Sequence, residues 1–236
     1  YNEWRDKKEN IGKLTWTLGS YATPAMAKEA GLTLRECWQQ IIKACYLNYS
    51  NPVAKWCKIQ AKSEKLRQKL NKLEIVKVNI KAKDTDLNIT IGESRQWLGG
   101  GGRNIPSFEI FTSPDWRGTN GYIFFDQPLY RQGNLIKNIK LTFKDGLVVD
   151  ATAGYGEDFL KQLIKVENSN KIGEFSLTDK RFSKINKFMA ETLYDENFGG
   201  SFGNTHIALG SAYKDTYSKK MAKMTDKDWS DLGFND

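Results

Sequence analysis

The chain has 236 residues, 39% hydrophobic and 27% charged, enough to bury one large core or two small ones without disulfide support. Its 36 Lys and Arg against 28 Asp and Glu give a formal charge of +8, but lysine dominates the excess and few aromatics are interleaved with it, so no stacking platform for single strands is evident. No apolar run approaches the roughly 20 residues of a bilayer span and the opening YNEWRDKKEN has no signal-peptide core, so the expectation is a cytoplasmic protein with neither a membrane nor a nucleic-acid partner.

Residues 1–73 read as mostly helical. A first helix is predicted from Asn10 to Leu18, followed by a break at Ala22-Thr23-Pro24, where Pro24 can open the next helix behind Thr23 as its N-cap. Thr33 then precedes an apolar stripe at helical spacing (Leu34, Cys37, Trp38, Ile41, Ile42, Cys45 and Tyr46), with Glu36 placed to complete a capping box. This helix should stop before Asn51-Pro52. The three cysteines, Cys37, Cys45 and Cys57, fall in this section; an odd number excludes a full disulfide framework, and the first two read as buried thiols on one helix face. A further helix from about Val53 to Leu73 sets Lys55, Lys58, Lys62, Lys65, Arg67, Lys69 and Lys72 beside Leu66, Leu70 and Leu73, the pattern of an amphipathic helix with a solvated polar face.

From Glu74 the hydrophobic period changes from about 3.6 to 2. Ile75, Val76, Val78 and Ile80 mark one strand and Leu87, Ile89 and Ile91 another, with a turn at Asp84-Thr85-Asp86 between them. A Gly-rich loop, Gly99 to Gly102, leads into a Pro-bounded strand between Pro106 and Pro114. It lacks the Lys-Ser/Thr ending of a P-loop and precedes no helix, so it reads as flexible backbone beside an active-site entrance, not as a phosphate cradle. Strands follow at Gly121 to Phe125, Ile136 to Phe143 and Leu147 to Ala153, the last two joined by Lys144-Asp145-Gly146. Residues 156–166 are predicted helical, Lys171 to Leu177 extended, and Ser183 to Leu193 helical. The fold expectation is α+β: a helical section, 1–73, packed on a domain, 74–236, with a mixed or antiparallel sheet.

Three segments place a potential metal ligand in a locally apolar stretch bounded by Gly or Pro. Glu109 stands between Phe108 and Ile110-Phe111, and burying an unpaired carboxylate costs several kcal/mol, so the position asks for a cation or a strong set of hydrogen bonds. Glu174 repeats the pattern in Ile172-Gly173-Glu174-Phe175. His206, the single histidine, has glycines on both sides, and imidazole is the commonest side-chain metal ligand. Two carboxylates and one imidazole suit zinc, cobalt or manganese, and hold two ions if a carboxylate bridges. Tyr213, seven residues past His206, offers a phenol that can donate to an oxyanion. Taken singly, each glutamate reads as a solvated strand-edge residue and Tyr213 as a core tyrosine; their joint occurrence with His206 favours a metal site.

With these residues in place, the sequence resembles the metallo-aminopeptidases of the thermophilic aminopeptidase family, the aminopeptidase T and aminopeptidase S group. NIPSFEIFTSP at 104–114 is similar to the family's Asn-x-Pro-Ser-Gly-Glu segment, with Phe108 in place of the usual glycine. IGEFSL at 172–177 and LYDENFGGSFGNTHIALGSAY at 193–213 resemble two further motifs, and SYATPAMAKEAGLT at 20–33 and NPVAKW at 51–56 extend the likeness over nearly the whole chain. The resemblance implies Glu109, Glu174 and His206 as metal ligands and Glu109 and Tyr213 as catalytic groups. It implies hydrolysis of N-terminal residues from peptide substrates by a water that two divalent metal ions activate, and a homodimer. The family completes its site with a His-x-Asp pair absent here, so the expectation is a fragment lacking both ends, its catalytic domain truncated at the C-terminus and inactive alone. Two other readings stand beside it: a degenerate noncatalytic family member, and a basic binding protein for an acidic partner such as RNA.

Overall fold

The structure, a computed structural model, describes residues 4, 8, 13–99, 102–221 and 224–235. The helix expected from Asn10 to Leu18 is absent over its described part. Residues 13–17 are irregular and lead into a short strand, β1 (Leu18–Gly19), parallel to Asn104–Ile105; residues 10–12 lie outside the described residues. The reason is long-range pairing: the Leu18 N–H donates to the Arg103 carbonyl at 2.7 Å, which diverts a donor that a helix would use internally, and the Thr17 hydroxyl donates to the same carbonyl at 3.0 Å.

Three helices follow where local capping chemistry places them. In α1 (Pro24–Glu29) Thr23 accepts from the Met26 N–H at 3.1 Å. In α2 (Leu34–Ala44) the capping box is complete, the Glu36 N–H donating to Thr33 Oγ1 at 3.2 Å and the Thr33 N–H to Glu36 Oε2 at 2.9 Å. The helix stops at Ala44 because Tyr46 takes a φ of 55°, yet Cys45 and Tyr46 remain buried. Asn51 caps α3 (Pro52–Lys72) through the Ala54 N–H at 2.9 Å, and Lys58, Lys62, Lys65, Lys69 and Lys72 are exposed along it. Cys37 and Cys45 are buried free thiols and Cys57 is an exposed one.

The strands are β2 (Lys77–Ala82), β3 (Thr85–Thr90), β4 (Leu98–Gly99), β5 (Asn104–Ile105), β6 (Glu109–Thr112), β7 (Asn120–Phe125), β8 (Leu129–Arg131), β9 (Asn134–Lys144) and β10 (Leu147–Tyr155). After α4 (Glu157–Leu163) come β11 (Ile172–Thr178), α5 (Thr192–Asp195), β12 (Asn204–Leu209) and α6 (Asp226–Asp231). A six-stranded antiparallel sheet runs β10-β9-β7-β3-β2 with β8 beside β9, and a four-stranded antiparallel sheet runs β12-β11-β6-β4. The β2–β3 turn falls one residue earlier than expected, at Lys83-Asp84, because Thr85 already belongs to β3 and accepts from the Phe124 N–H at 3.0 Å. Asp145 and Gly146, both at positive φ, close the β9–β10 hairpin. Among the described residues no helix is long and apolar enough to cross a membrane.

The helix expected from Ser183 to Leu193 is also absent; only Thr192–Asp195 coil, as α5. Side chains satisfy the amides of this segment instead. Asp195 accepts from the Met189 and Glu191 N–H groups at 2.7 and 3.0 Å, and Gln40 accepts from the Asn186 N–H at 3.2 Å. Ile185 and Met189, whose spacing imitates a helix face, are loop residues anchored in a core. That core joins Cys37, Ile41, Tyr46 and Ile59 to Phe108, Phe182 and Tyr194, with the Tyr46 hydroxyl donating to the Phe182 carbonyl. A second core lies within the sheets, around Leu87, Ile89, Ile123, Leu141, Ile172 and Phe175. Phe108 belongs to the first and Ile110 to the second, so Glu109 sits at the seam between them.

Candidate metal centre

Strand alternation places the acidic groups. In the four-stranded sheet Glu109 pairs with Thr178, and Ser176 pairs with both Phe111 and His206, so Glu109, Ser176 and His206 project from one face. Glu174, two residues before Ser176 and paired with Ala208, joins that face by the same alternation, and a register shift between Ile172 and Glu174 falls just before it. Gly173 makes the shift sterically feasible, since a Cβ there would lie 2.2 Å from the Gly210 carbonyl oxygen. Gly99, expected in a flexible loop, is instead the end of β4 at a φ of 149°, where a Cβ would lie 2.2 Å from the Glu109 carbonyl oxygen. Residues 100–101 of that loop lie outside the described residues.

The three expected ligands come together. His206 Nε2 lies 3.1 Å from Glu174 Oε1 and 3.5 Å from Glu109 Oε2, and one donor atom of each residue lies within 4.8 Å of the others. Both glutamates are buried, at 8% and 7% exposure. Ser176 donates its hydroxyl to Glu109 Oε2 at 3.3 Å. His206 Nδ1 lies 3.0 Å from the Glu196 carbonyl oxygen. A carbonyl only accepts, so Nδ1 carries the hydrogen and Nε2 is the nitrogen turned toward the carboxylates.

The electrostatics ask for a cation. Burial, together with the charge of Glu174, pushes the Glu109 carboxyl up to about 7, although His206 and the Ser176 hydrogen bond pull it back. Burial disfavours the imidazolium of His206, but the Glu174 hydrogen bond and the neighbouring carboxylates outweigh it and raise its pKa. Carboxylate oxygens and an imidazole nitrogen, converging where two anions are costly, fit a borderline divalent ion. Tyr213 is half exposed at the same face, its ring 5.2 Å from that of Phe111. Burial and then Glu174, Glu109 and Glu196 push its phenol up to about 12.

Two residues here escape the sequence reading. Burial and then the charge of Glu109 push the Glu196 carboxyl up to about 8, so a further acid feels the charge of the cluster. Its signal is the one that singled out the other glutamates, a carboxylate flanked by large apolar residues, here Leu193-Tyr194 and Phe198. Asn197, fully buried, accepts from the Phe108 N–H at 2.7 Å and donates to the Leu193 carbonyl at 3.0 Å, tying the entry of β6 to the segment behind Glu196. Asn197→Ala leaves the Phe108 amide buried without a partner, and a loss of about 2 kcal/mol is expected in urea unfolding. Phe108 itself stacks on Trp56 at 5.3 Å, which gives its bulk a packing role beside the ligand strand.

The sequence pattern of the family described as thermophilic metalloprotease (M29) matches residues 1–236. The chain is 33% identical to aminopeptidase AmpS of Bacillus subtilis (strain 168), over 85% of its own length and 52% of the relative's. It is 31% identical to aminopeptidase PepS of Streptococcus thermophilus, over 94% and 57%. Its fold is similar to that of wild-type AmpT from Thermus thermophilus, with a TM-score of 0.80 at 26% identity, covering 99% of this chain and 60% of that one. The chain thus spans about half the length of the curated relatives it matches. On its sequence and its fold alike, it belongs to the M29 family of metalloproteases.

Proposed function

We propose that the protein containing this chain is a metal-dependent aminopeptidase that removes N-terminal residues from peptides, with Glu109, Glu174 and His206 as metal ligands. The observation that carries this reading is the convergence of two buried carboxylates and one oriented imidazole on a single sheet face. The names of the relatives support it. Two divalent ions, zinc, cobalt or manganese, would supply Lewis-acid polarisation, a water of lowered pKa and an anchor for the substrate's amino group.

The chain's own residues account for the proton movements. Glu109, its Oε2 held by the Ser176 hydroxyl, is placed to take a proton from the attacking water and to return it to the departing amine. Tyr213 stays protonated at neutral pH and donates its hydroxyl hydrogen to the tetrahedral oxyanion. His206 keeps Nε2 directed at the carboxylates because the Glu196 carbonyl holds Nδ1. A homodimer and a cytoplasmic location accompany this reading.

The test is metal analysis with an aminoacyl-anilide assay on the full-length protein. Activity should vanish on chelation and return when a divalent ion is added back. A full-length protein that binds metal but cleaves nothing would make it a noncatalytic family member. RNA binding that is steeply salt-sensitive and indifferent to chelators would make it a basic binding protein.

A further inference from the structure

Tyr213 is held less by its ring than by its backbone. Tyr213 is half exposed, and its ring packs against that of Phe111. The backbone around it is tied on both sides. The Tyr213 N–H donates to Ser113 Oγ at 2.8 Å, across 100 residues of sequence. The Tyr213 carbonyl accepts from the Thr216 hydroxyl at 2.6 Å and the Thr216 N–H at 3.0 Å. One residue earlier, the Ala212 N–H donates to the Asn235 carbonyl at 2.6 Å.

Ser113 is fully buried directly behind β6, and Arg95 fixes it in turn. Arg95 Nε donates to the Ser113 carbonyl at 2.7 Å, and its terminal nitrogens donate to the carbonyls of Glu93 at 3.0 Å and Leu232 at 2.8 Å. The Phe234 ring lies 3.6 Å from Cζ. Burial holds this guanidinium down to about 10, so the fold bears a desolvation cost to keep it there. What it gains is geometric. A planar fork with fixed donor directions joins the end of the Glu109 strand to the turn after α6, the same turn whose Asn235 holds Ala212. The two routes, Arg95 through Ser113 and Arg95 through the C-terminal turn, meet at residues 212–213.

We propose that Arg95 and Ser113 are positioning residues for the Tyr213 phenol, setting its hydroxyl relative to the face that bears Glu109, Glu174 and His206. The proposal rests on the reading of Tyr213 as the oxyanion donor. A donor to a developing charge is effective only when placed within about 0.5 Å of its productive position. A hydroxyl partner for the Tyr213 amide therefore affects turnover more than substrate affinity.

The test is a double-mutant cycle on the full-length, metal-loaded protein, read by anilide hydrolysis. Tyr213→Phe should lower kcat about 100-fold. Ser113→Ala should lower kcat about 10-fold with KM within about twofold and metal content unchanged, since it removes an interaction expressed in the transition state. In the Tyr213→Phe background Ser113→Ala should have no further effect, because its influence passes through the phenol. Arg95→Lys, which keeps the charge and loses the fork, should follow the same non-additive pattern and serves as the second variant. Multiplicative losses, or a Ser113→Ala effect confined to KM or metal content, overturn the positioning role alone. An unimpaired Tyr213→Phe enzyme overturns the oxyanion reading and this inference with it.

Discussion

His206→Ala in the full-length protein is expected to lose bound metal and to lower kcat/KM by about 10³-fold or more. The imidazole contributes its Nε2, held by the Glu196 carbonyl behind it, and no second histidine in this chain can substitute. A His206→Asn variant separates ligation from packing. Its side-chain amide can still donate to the Glu196 carbonyl but offers a poorer ligand, so it should fold like the parent and remain metal-poor. Metal analysis beside anilide hydrolysis checks both. Unchanged metal content and rate in His206→Ala would remove the histidine from the site and with it the metal reading of the glutamates.

The elements legible in the sequence are those whose cause is local. Thr23, Thr33 with Glu36, and Asn51 cap their helices using amides no more than three residues away, so the sequence contains both partners of each bond. Period-2 alternation likewise marks β3, β7, β9 and β10. The elements missed are those whose cause lies far along the chain. Residues 17–18 abandon a helix for the Arg103 carbonyl, and in the segment 183–191 Asn186 gives its amide to Gln40, 146 residues away. The same division runs through the site. Glu109, Glu174 and His206 stand out because each carries its polar group into an apolar neighbourhood that is visible in sequence. The ties that set their geometry, Asn197 to Phe108 and Ser113 to Tyr213, span 89 and 100 residues and leave no local pattern.

Stability and metal binding should respond to pH in opposite directions. Glu109 and Asp195 are held near 7 and Glu196 near 8, burial being the largest cause for each, while free carboxyls titrate near about 4. A carboxyl raised in this way contributes stability that is complete below its unfolded value and is lost as pH climbs through the folded one. His206, also raised, has the same sign: its contribution is full below about 6.5 and is lost above. All four groups therefore make the folded, metal-free protein bind more protons than the unfolded chain between about pH 4 and 8. Its stability should fall across that window by about 1.4 kcal/mol per pH unit for each full proton of difference. A divalent ion replaces the protons on its ligands, so its affinity should rise about tenfold per pH unit for each proton displaced. Asp195, bonded to the Met189 and Glu191 amides, stands outside the ligand set and should keep its share of the slope in the metal-loaded protein. Calorimetric unfolding at pH 5, 6.5 and 8, with and without chelator, should show the metal-free Tm falling toward pH 8 while the increment from metal grows. A metal-free Tm that rises over this range, or a metal increment indifferent to pH, would mean that the buried carboxyls are ionised throughout and that protons and metal do not compete for them.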